Sequence, residues 1–174
     1  LGAAVWVQVN ECGRGSQAIT ALRALFVDND QSRTLPTLPL PPSIVVQSSA
    51  TPWNLHYYWL LQPGEPVERF KPAQQKLYRA LGTDKSICNA DRCMRLPGSW
   101  HRKGQQPVSV RLLECHPDRR YTIDDVLEHL PERETAIASN PTEPPLAPVE
   151  PPPEMIAAGE RVRSWLARRG VRFR

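Results

Sequence analysis

The stretch from Leu22 to Asp30 (Leu-Arg-Ala-Leu-Phe-Val-Asp-Asn-Asp) constrains the fold most, because it predicts an apolar strand that ends in two carboxylates. Side chains two residues apart on a strand share a face, so Asp28 and Asp30 should face together, about 7 Å apart at Cα, while Asn29 turns away. Two like charges about 4 Å apart repel by roughly 4 kcal/mol at an effective dielectric of about 20. Such carboxylates usually share a cation, and hard oxygen ligands suit magnesium or manganese. The alternative is a pair of solvated turn residues after a buried strand.

Length and charge limit the protein class. A chain of 174 residues is long enough for one domain of ordinary size. The net charge of +4 permits an anionic partner such as nucleic acid but does not demonstrate one. No apolar run reaches the ~20 residues of a membrane span, and no signal peptide is visible, so we expect no membrane partner. The cysteines have no Cys-x-x-Cys or zinc-type spacing, which favours reduced thiols in a cytoplasmic protein.

The residue pattern predicts strands and helices in turn. Runs that alternate, or that are rich in β-branched and aromatic residues, predict strands at 3–10, 22–30, 43–49, 55–61 and 108–115. A helical period predicts a helix over 70–81, which Gly82 ends, and Thr122 is a good N-cap for a short helix over 121–130. We also expect a short helical approach over 17–21, and an extended connector over 31–42, where prolines exclude a central strand.

The composition also predicts the domain boundaries. Residues 1–135 should form the folded domain, 136–153 a stiff proline-rich linker, and 154–174 a basic amphipathic helix that starts a following module. The chain starts without Met inside a strand-like run, so we expect it to be a fragment of a longer protein. The loop at Gly13-Arg14-Gly15 could be a phosphate-binding turn or a plain turn, and it lacks the complete glycine-rich fingerprint of a nucleotide loop.

Three sequence pieces occur in one order: the strand end Leu-Phe-Val-Asp-Asn-Asp, the strand segment Asn-Leu-His-Tyr-Tyr-Trp, and the run Asp-x-x-Ile-x-x-x-x-Arg-x-x-Arg-Leu-Pro-Gly-Ser-x-His-x-Lys. Together they resemble the archaeo-eukaryotic primase superfamily, most closely its plasmid and phage replication primases and primase-polymerases. The resemblance spans about residues 5 to 130. It implies an α+β fold, with a mixed, mainly antiparallel sheet, flanking helices, and an open cleft at the strand ends.

The resemblance also implies a set of metal ligands. In that family three acidic residues bind two divalent ions, Mg²⁺ or Mn²⁺, for nucleotidyl transfer, and the first two lie at a strand end. Asp28 and Asp30 match those two. The third precedes an Arg-x-x-Arg by eight or nine residues, and Asp84 fits because it lies eight residues before Arg92. Asp91 is the alternative third ligand.

The same resemblance implies nucleotide-binding residues. The family's Ser-x-His motif contacts the incoming triphosphate, and His56 matches its histidine, although Asn54 takes the serine position and the nearest serines, Ser48 and Ser49, lie on the preceding strand. The full set of nucleotide-binding candidates is His56, Ser49, Arg92, Arg95, His101 and Lys103. Two structural alternatives stay open: His56 could be a core residue, and the basic segment that includes Arg92 and Lys103 could be a solvated loop. The aromatic residues at 53 and 57–59 are either base-stacking or core residues.

The implied function is that of a DNA-dependent nucleotidyltransferase. A primase or primase-polymerase of this kind makes or extends primers on single-stranded DNA from nucleoside triphosphates in plasmid, phage or mobile-element replication. A fused or separate helicase is the expected further partner. Two alternatives of other classes use the same residues: a non-catalytic single-stranded-DNA-binding replication initiator module, and a metal-dependent nuclease.

Overall fold

The structure is a computed structural model that describes residues 3–12, 19–30, 35, 40–50, 53–103 and 106–131. The predicted linker at 136–153, the basic helix at 154–174, the Gly13-Arg14-Gly15 turn and most of the connector at 31–42 lie outside the described residues.

Strands outnumber helices in the described part of the chain. In order they are β1 (Trp6–Gln8), β2 (Glu11–Cys12), β3 (Ile19–Ala21), β4 (Ala24–Asn29), β5 (Ile44–Ala50), β6 (Trp53–Leu61), β7 (Cys93–Arg95), β8 (Trp100–His101), β9 (Val108–Ser109), β10 (Arg111–Cys115) and β11 (Arg120–Tyr121). The helices are α1 (Phe70–Leu81), which follows a 3₁₀ turn at Val67–Arg69, and α2 (Ile123–Glu128).

A five-stranded sheet forms the centre of the domain. Its strand order is β10-β5-β6-β11, and β4 also pairs with β6. The strands β4 and β5 both run antiparallel to β6, whereas β11 runs parallel to it. The predicted mixed, mainly antiparallel sheet is confirmed, and within it β5 and β6 pair as a hairpin. Because β6 is central, residues on both of its faces are buried, including Tyr58 and Trp59.

Helix α1 packs against β4 through an apolar face. Phe70 and Leu77 are fully buried on this face, and the Phe70 ring lies 5.9 Å from the Phe26 ring of β4, centroid to centroid. Gly82 ends the helix in the left-handed region at φ 67°, where a residue without a side chain is favoured. The predicted bounds, 70–81, agree with the observed helix.

Three two-stranded pairs flank the central sheet: β1 with β7, β2 with β3, and β8 with β9. The predicted helical approach at 17–21 is wrong for its described part, because Ile19–Ala21 is a strand that pairs with Glu11–Cys12. A helix of so few residues is marginal in water. The segment instead makes its backbone hydrogen bonds to β2.

Two predicted strands are shorter or interrupted. The first covers only Trp6–Gln8 of the predicted 3–10. The strand predicted at 108–115 divides into β9 and β10 at Val110, whose N–H donates to the Ser99 carbonyl and whose carbonyl accepts from the Gly98 N–H, both at 2.9 Å. Val110 is fully buried, so the core holds this interruption in place.

Helix α2 starts at a reciprocal cap. Thr122 Oγ1 accepts from the Asp125 N–H at 3.0 Å, and Asp125 Oδ2 accepts from the Thr122 N–H at 2.7 Å, so the predicted N-cap is confirmed, although the helix is shorter than predicted. Cys88, Cys93 and Cys115 are free thiols. In the part of the chain that the structure describes, no helix is both long and apolar enough to span a membrane.

Candidate active site

Asp28 lies near the end of β4 in an environment that disfavours its charge. Burial first, and then the carboxylates of Asp30 and Asp84, raise the pKa of its carboxyl to about 7, against the opposing effect of Arg95 and Arg92. Its Oδ1 atom is buried without a hydrogen-bond partner. The structure therefore places Asp28 within electrostatic range of the other two predicted acids, Asp30 and Asp84, and leaves one of its oxygens unsatisfied.

The backbone of Asp84 is hydrogen-bonded to the backbone of Asp28 on β4. The chain leaves α1 at Gly82, and the Asp84 N–H donates to the Asp28 carbonyl at 3.5 Å. Its own carboxylate accepts from the Ser86 N–H at 2.8 Å and from Ser86 Oγ at 2.7 Å. Asp91, the alternative third acid, instead accepts from Asn89 Nδ2 at 2.7 Å. Proximity to Asp28 therefore favours Asp84.

Gln74, which the sequence reasoning missed, connects the two chain segments that carry Asp28 and Asp84. Its side chain is fully buried, accepts from the Phe26 N–H at 3.3 Å, and donates both to the Phe26 carbonyl and to the Ile87 carbonyl. The Gln74 amide thus makes hydrogen bonds to Phe26 of the kind that a neighbouring strand would make. It also connects β4 to the loop that carries Asp84. The available signal was its position, because residue 74 lies on the apolar face of the predicted helix.

His56 lies beneath Asp28, not on the open surface. It is opposite Asp28 in the β4–β6 register, only 2% exposed, and its Nε2 atom is 3.6 Å from Asp28 Oδ1. Its Nδ1 atom is 3.3 Å from the Tyr58 hydroxyl. Burial, together with the charges of Arg95 and His101, lowers the His56 pKa to about 3. The imidazole is therefore neutral at physiological pH.

His101 enters the site from β8 with a defined tautomer. A register shift between Gln47 and Ser49 leaves Ser48 at a bulge, and the Ser48 carbonyl lies 3.0 Å from His101 Nδ1. A carbonyl only accepts, so Nδ1 carries the hydrogen, and the buried Nε2 atom has no hydrogen-bond partner. Burial and the charges of Arg95 and Lys103 lower the His101 pKa. Ser49 is buried opposite Asn54.

The predicted cations Arg92, Arg95 and Lys103 lie on one segment of the chain and differ in how closely they relate to the acids. Arg92 donates to Ser86 Oγ at 3.2 Å, and the same hydroxyl donates to the Asp84 carboxylate. Arg95 is half-buried; burial lowers its pKa, while Asp28 and Asp30 raise it. Lys103 is exposed beyond β8. The candidate site thus combines acids from two chain segments with cations from one.

The residues fit a divalent cation in chemistry. Carboxylate oxygens are suitable hard ligands, and an unpaired buried oxygen beside two further carboxylates is an arrangement that a cation would neutralise. Across the described ranges, however, no three His, Cys, Asp or Glu side chains are arranged so that they could hold a metal ion. Both oxygens of the predicted third acid, Asp84, accept hydrogen bonds from Ser86.

Comparison with known proteins supports the fold. The structure is similar to the AEP domain of the cyanophage S-2L primase-polymerase (PrimPol), with a TM-score of 0.58 and 22% sequence identity over 72% of this chain and 69% of that one. No protein-family model and no curated protein sequence matches this chain. The predicted archaeo-eukaryotic primase-like core, a mixed α+β fold with mainly antiparallel strands, is therefore confirmed as a fold.

Proposed function

We propose that this protein is a DNA-dependent nucleotidyltransferase, a primase or primase-polymerase that makes or extends primers on single-stranded DNA. The observation that carries the proposal is the buried, unpartnered Oδ1 atom of Asp28 near the end of β4, in a carboxyl whose pKa is raised by burial and by Asp30 and Asp84. A strained carboxylate near further acids and a cationic segment is typical of sites that bind divalent ions for phosphoryl transfer. The similarity to a phage primase-polymerase domain supports the same reaction class.

Asp28, Asp30 and Asp84 would hold the divalent ions, with Asp84 turning from Ser86 to do so. When bound, those ions supply charge stabilisation at the attacking 3′-hydroxyl and at the leaving pyrophosphate. Arg92 and Arg95 would neutralise the triphosphate, since guanidinium groups bind phosphate oxygens bidentately.

The two histidines would have different roles. Neutral His56 would orient the Asp28 carboxylate from below, because its Nε2 atom already lies 3.6 Å from Asp28 Oδ1. His101 has its Nδ1 hydrogen committed to the Ser48 carbonyl, so its Nε2 atom accepts. An acceptor suits a sugar hydroxyl of the nucleotide better than it suits a phosphate oxygen.

A non-catalytic single-stranded-DNA-binding module is the second candidate. The observation that favours it is the Asp84 carboxylate, whose two oxygens are both occupied by Ser86. In such a module the cationic segment would hold the DNA backbone, with affinity that falls steeply as salt rises.

Primer synthesis separates the two functions. Wild-type protein is incubated with labelled nucleoside triphosphates, Mn²⁺ or Mg²⁺, and unprimed single-stranded DNA. We expect oligonucleotide products that Asp30→Asn abolishes and that Asp118→Asn, a change at an exposed carboxylate outside the site, leaves intact. DNA binding without products from the wild-type protein would support the binding module, and shortened template would indicate a nuclease.

A further inference from the structure

Trp6 is the most exposed large apolar side chain among the described residues, with 53% of its surface accessible. It lies on β1, directly opposite Arg95 of β7, so the two side chains share one face of this strand pair. The Arg95 guanidinium carbon is 5.7 Å from the Trp6 ring centroid, which is cation–π distance.

The backbone holds Trp6 firmly in this position. The Leu96 N–H donates to the Val5 carbonyl at 2.9 Å, and the Val9 N–H donates to the Arg92 carbonyl at 3.1 Å, one on each side of the paired segment. The aromatic ring is therefore fixed to the same short segment that carries the cations of the candidate site.

Arg95 connects this ring to the acids. Its pKa responds to the charges of Asp28 and Asp30, and its own charge lowers the pKa of His56. The charge of Arg95 therefore interacts with those of Asp28 and Asp30, and its guanidinium also lies over the Trp6 ring. Trp6 itself is 53% exposed.

We propose that Trp6 is a stacking platform for the base of the incoming nucleoside triphosphate, an assignment that rests on the proposed function. A nucleoside triphosphate carries a polyanionic triphosphate and a planar aromatic base. The Arg95 guanidinium suits the triphosphate, and the adjacent Trp6 ring suits the base. Every base has a π-face, so the platform serves all of them without selecting among them. Trp6 belongs to none of the motifs by which the site was first recognised.

The test compares Trp6→Leu, which keeps apolar bulk but removes the π-face, with Trp6→Phe, which keeps an aromatic face. Val7→Ala is the matched control, because Val7 is the exposed neighbour on the opposite face of β1. For Trp6→Leu we expect a roughly tenfold rise in KM for every nucleoside triphosphate, with kcat nearly unchanged. Trp6→Phe should retain most of the affinity, and Val7→Ala all of it.

A direct binding measurement separates this inference from the proposed function. Affinity for a non-hydrolysable nucleoside triphosphate is measured in Mn²⁺ without DNA, beside affinity for single-stranded DNA without nucleotide. Weaker nucleotide binding by Trp6→Leu supports the platform even if the wild-type protein makes no primers. Unchanged nucleotide affinity in Trp6→Leu, an equal loss in Trp6→Phe, or a loss confined to DNA binding would overturn it.

Discussion

Strand β4 and the segment from Asp84 to Lys103 supply the two charge types of the candidate site, and the chain holds them differently. β4 is paired with β6 over six residues, from Ala24 to Asn29, and its side chains are mostly buried. The cationic segment contains only the short strands β7 and β8, and it is fixed by pairing with β1 and by single hydrogen bonds. Asp28 on β4 is thus positioned by the core, whereas Asp30 follows the end of the strand predicted to include it and is exposed, and the cations are positioned by the periphery.

This difference indicates what each region tolerates. A change in the buried part of β4 alters packing, hydrogen bonding or buried charge, so it should affect stability and activity together. A change in the cationic segment should affect nucleotide affinity with little effect on folding. Asp84 is the residue where the two regions meet, because its backbone bonds to β4 and its side chain bonds to Ser86.

The largest expected effect comes from Asp84. Asp84→Asn should lower the rate of primer synthesis by at least about 100-fold, because metal-bound charge stabilisation is worth several kcal/mol. Asp91→Asn is the matched control and should retain most of the rate. Initial rates on one template, at saturating nucleotide, measure both. Equal losses in the two variants would remove the assignment of Asp84 as the third acid.

Gln74 tests whether the core sets the geometry of the acids. Gln74→Leu leaves two carbonyls and one N–H without partners, so the free energy of unfolding should fall by about 2–4 kcal/mol. Activity should fall as well at temperatures where the variant is folded. Gln62→Leu is the control, since Gln62 is exposed and its side chain makes one hydrogen bond, to the Arg120 carbonyl at 3.5 Å. Urea unfolding with matching losses for both variants would contradict this role.

The raised pKa of Asp28 predicts a pH-dependent stabilisation in metal-free protein. Because the folded carboxyl holds its proton up to a pKa of about 7, against an ordinary value of 3.8, its contribution to stability is full below about pH 4 and is lost as pH rises to about 7. Asp28→Asn removes that loss and should stabilise the fold at pH 8 by about 1–3 kcal/mol. The gain should shrink at pH 5.

The lowered pKa of His56 acts in the opposite direction. Its contribution is present above about pH 6.5 and is lost as pH falls towards about 3, so the two groups partly cancel in the wild-type profile. The difference between Asp28→Asn and wild type, measured by urea unfolding in EDTA at both pH values, is therefore the informative quantity. Asp118→Asn should show no such pH dependence, and a gain that is equal at pH 5 and pH 8 would contradict the burial argument.

The smallest effect is expected in the cationic segment. Arg92→Lys keeps the charge but loses the forked geometry, so KM for nucleoside triphosphates should rise by roughly tenfold while stability is retained. Arg120→Lys is the control, because Arg120 bonds to the Leu61 carbonyl on another strand. Steady-state kinetics and thermal melting measure the two quantities. A stability loss without a KM change would assign Arg92 to structure alone.

The sequence allowed the main elements of this fold to be predicted because their signals are local. The period of apolar residues and Gly82 define α1, and runs of β-branched, aromatic and other apolar residues define β4, β5 and β6. The convergence of Asp28 and Asp84 was implied by motif order, not by any local pattern. The strand at Ile19–Ala21 and the interruption at Val110 were missed because their backbone bonds go to partners elsewhere in the chain.

The contacts that shape the site were beyond sequence reasoning for a related reason. Gln74 bonds to β4 from a helix 48 positions away in the chain, and His101 reaches Ser48 across 53 positions. No periodicity specifies such side-chain-to-backbone contacts. The burial of His56 also depends on where β6 lies in the sheet, since a strand with partners on both edges places its side chains under its neighbours.

Manganese binding to the purified protein tests the central claim most directly, namely that acids from β4 and from the loop after α1 converge on shared divalent ions. Calorimetric titration would compare wild type with Asp28→Asn, Asp84→Asn and Asp118→Asn. The account predicts binding by wild type and by Asp118→Asn, and at least about tenfold weaker binding by each of the other two variants. Absent binding by wild type, or binding that neither Asp28→Asn nor Asp84→Asn weakens, would contradict it.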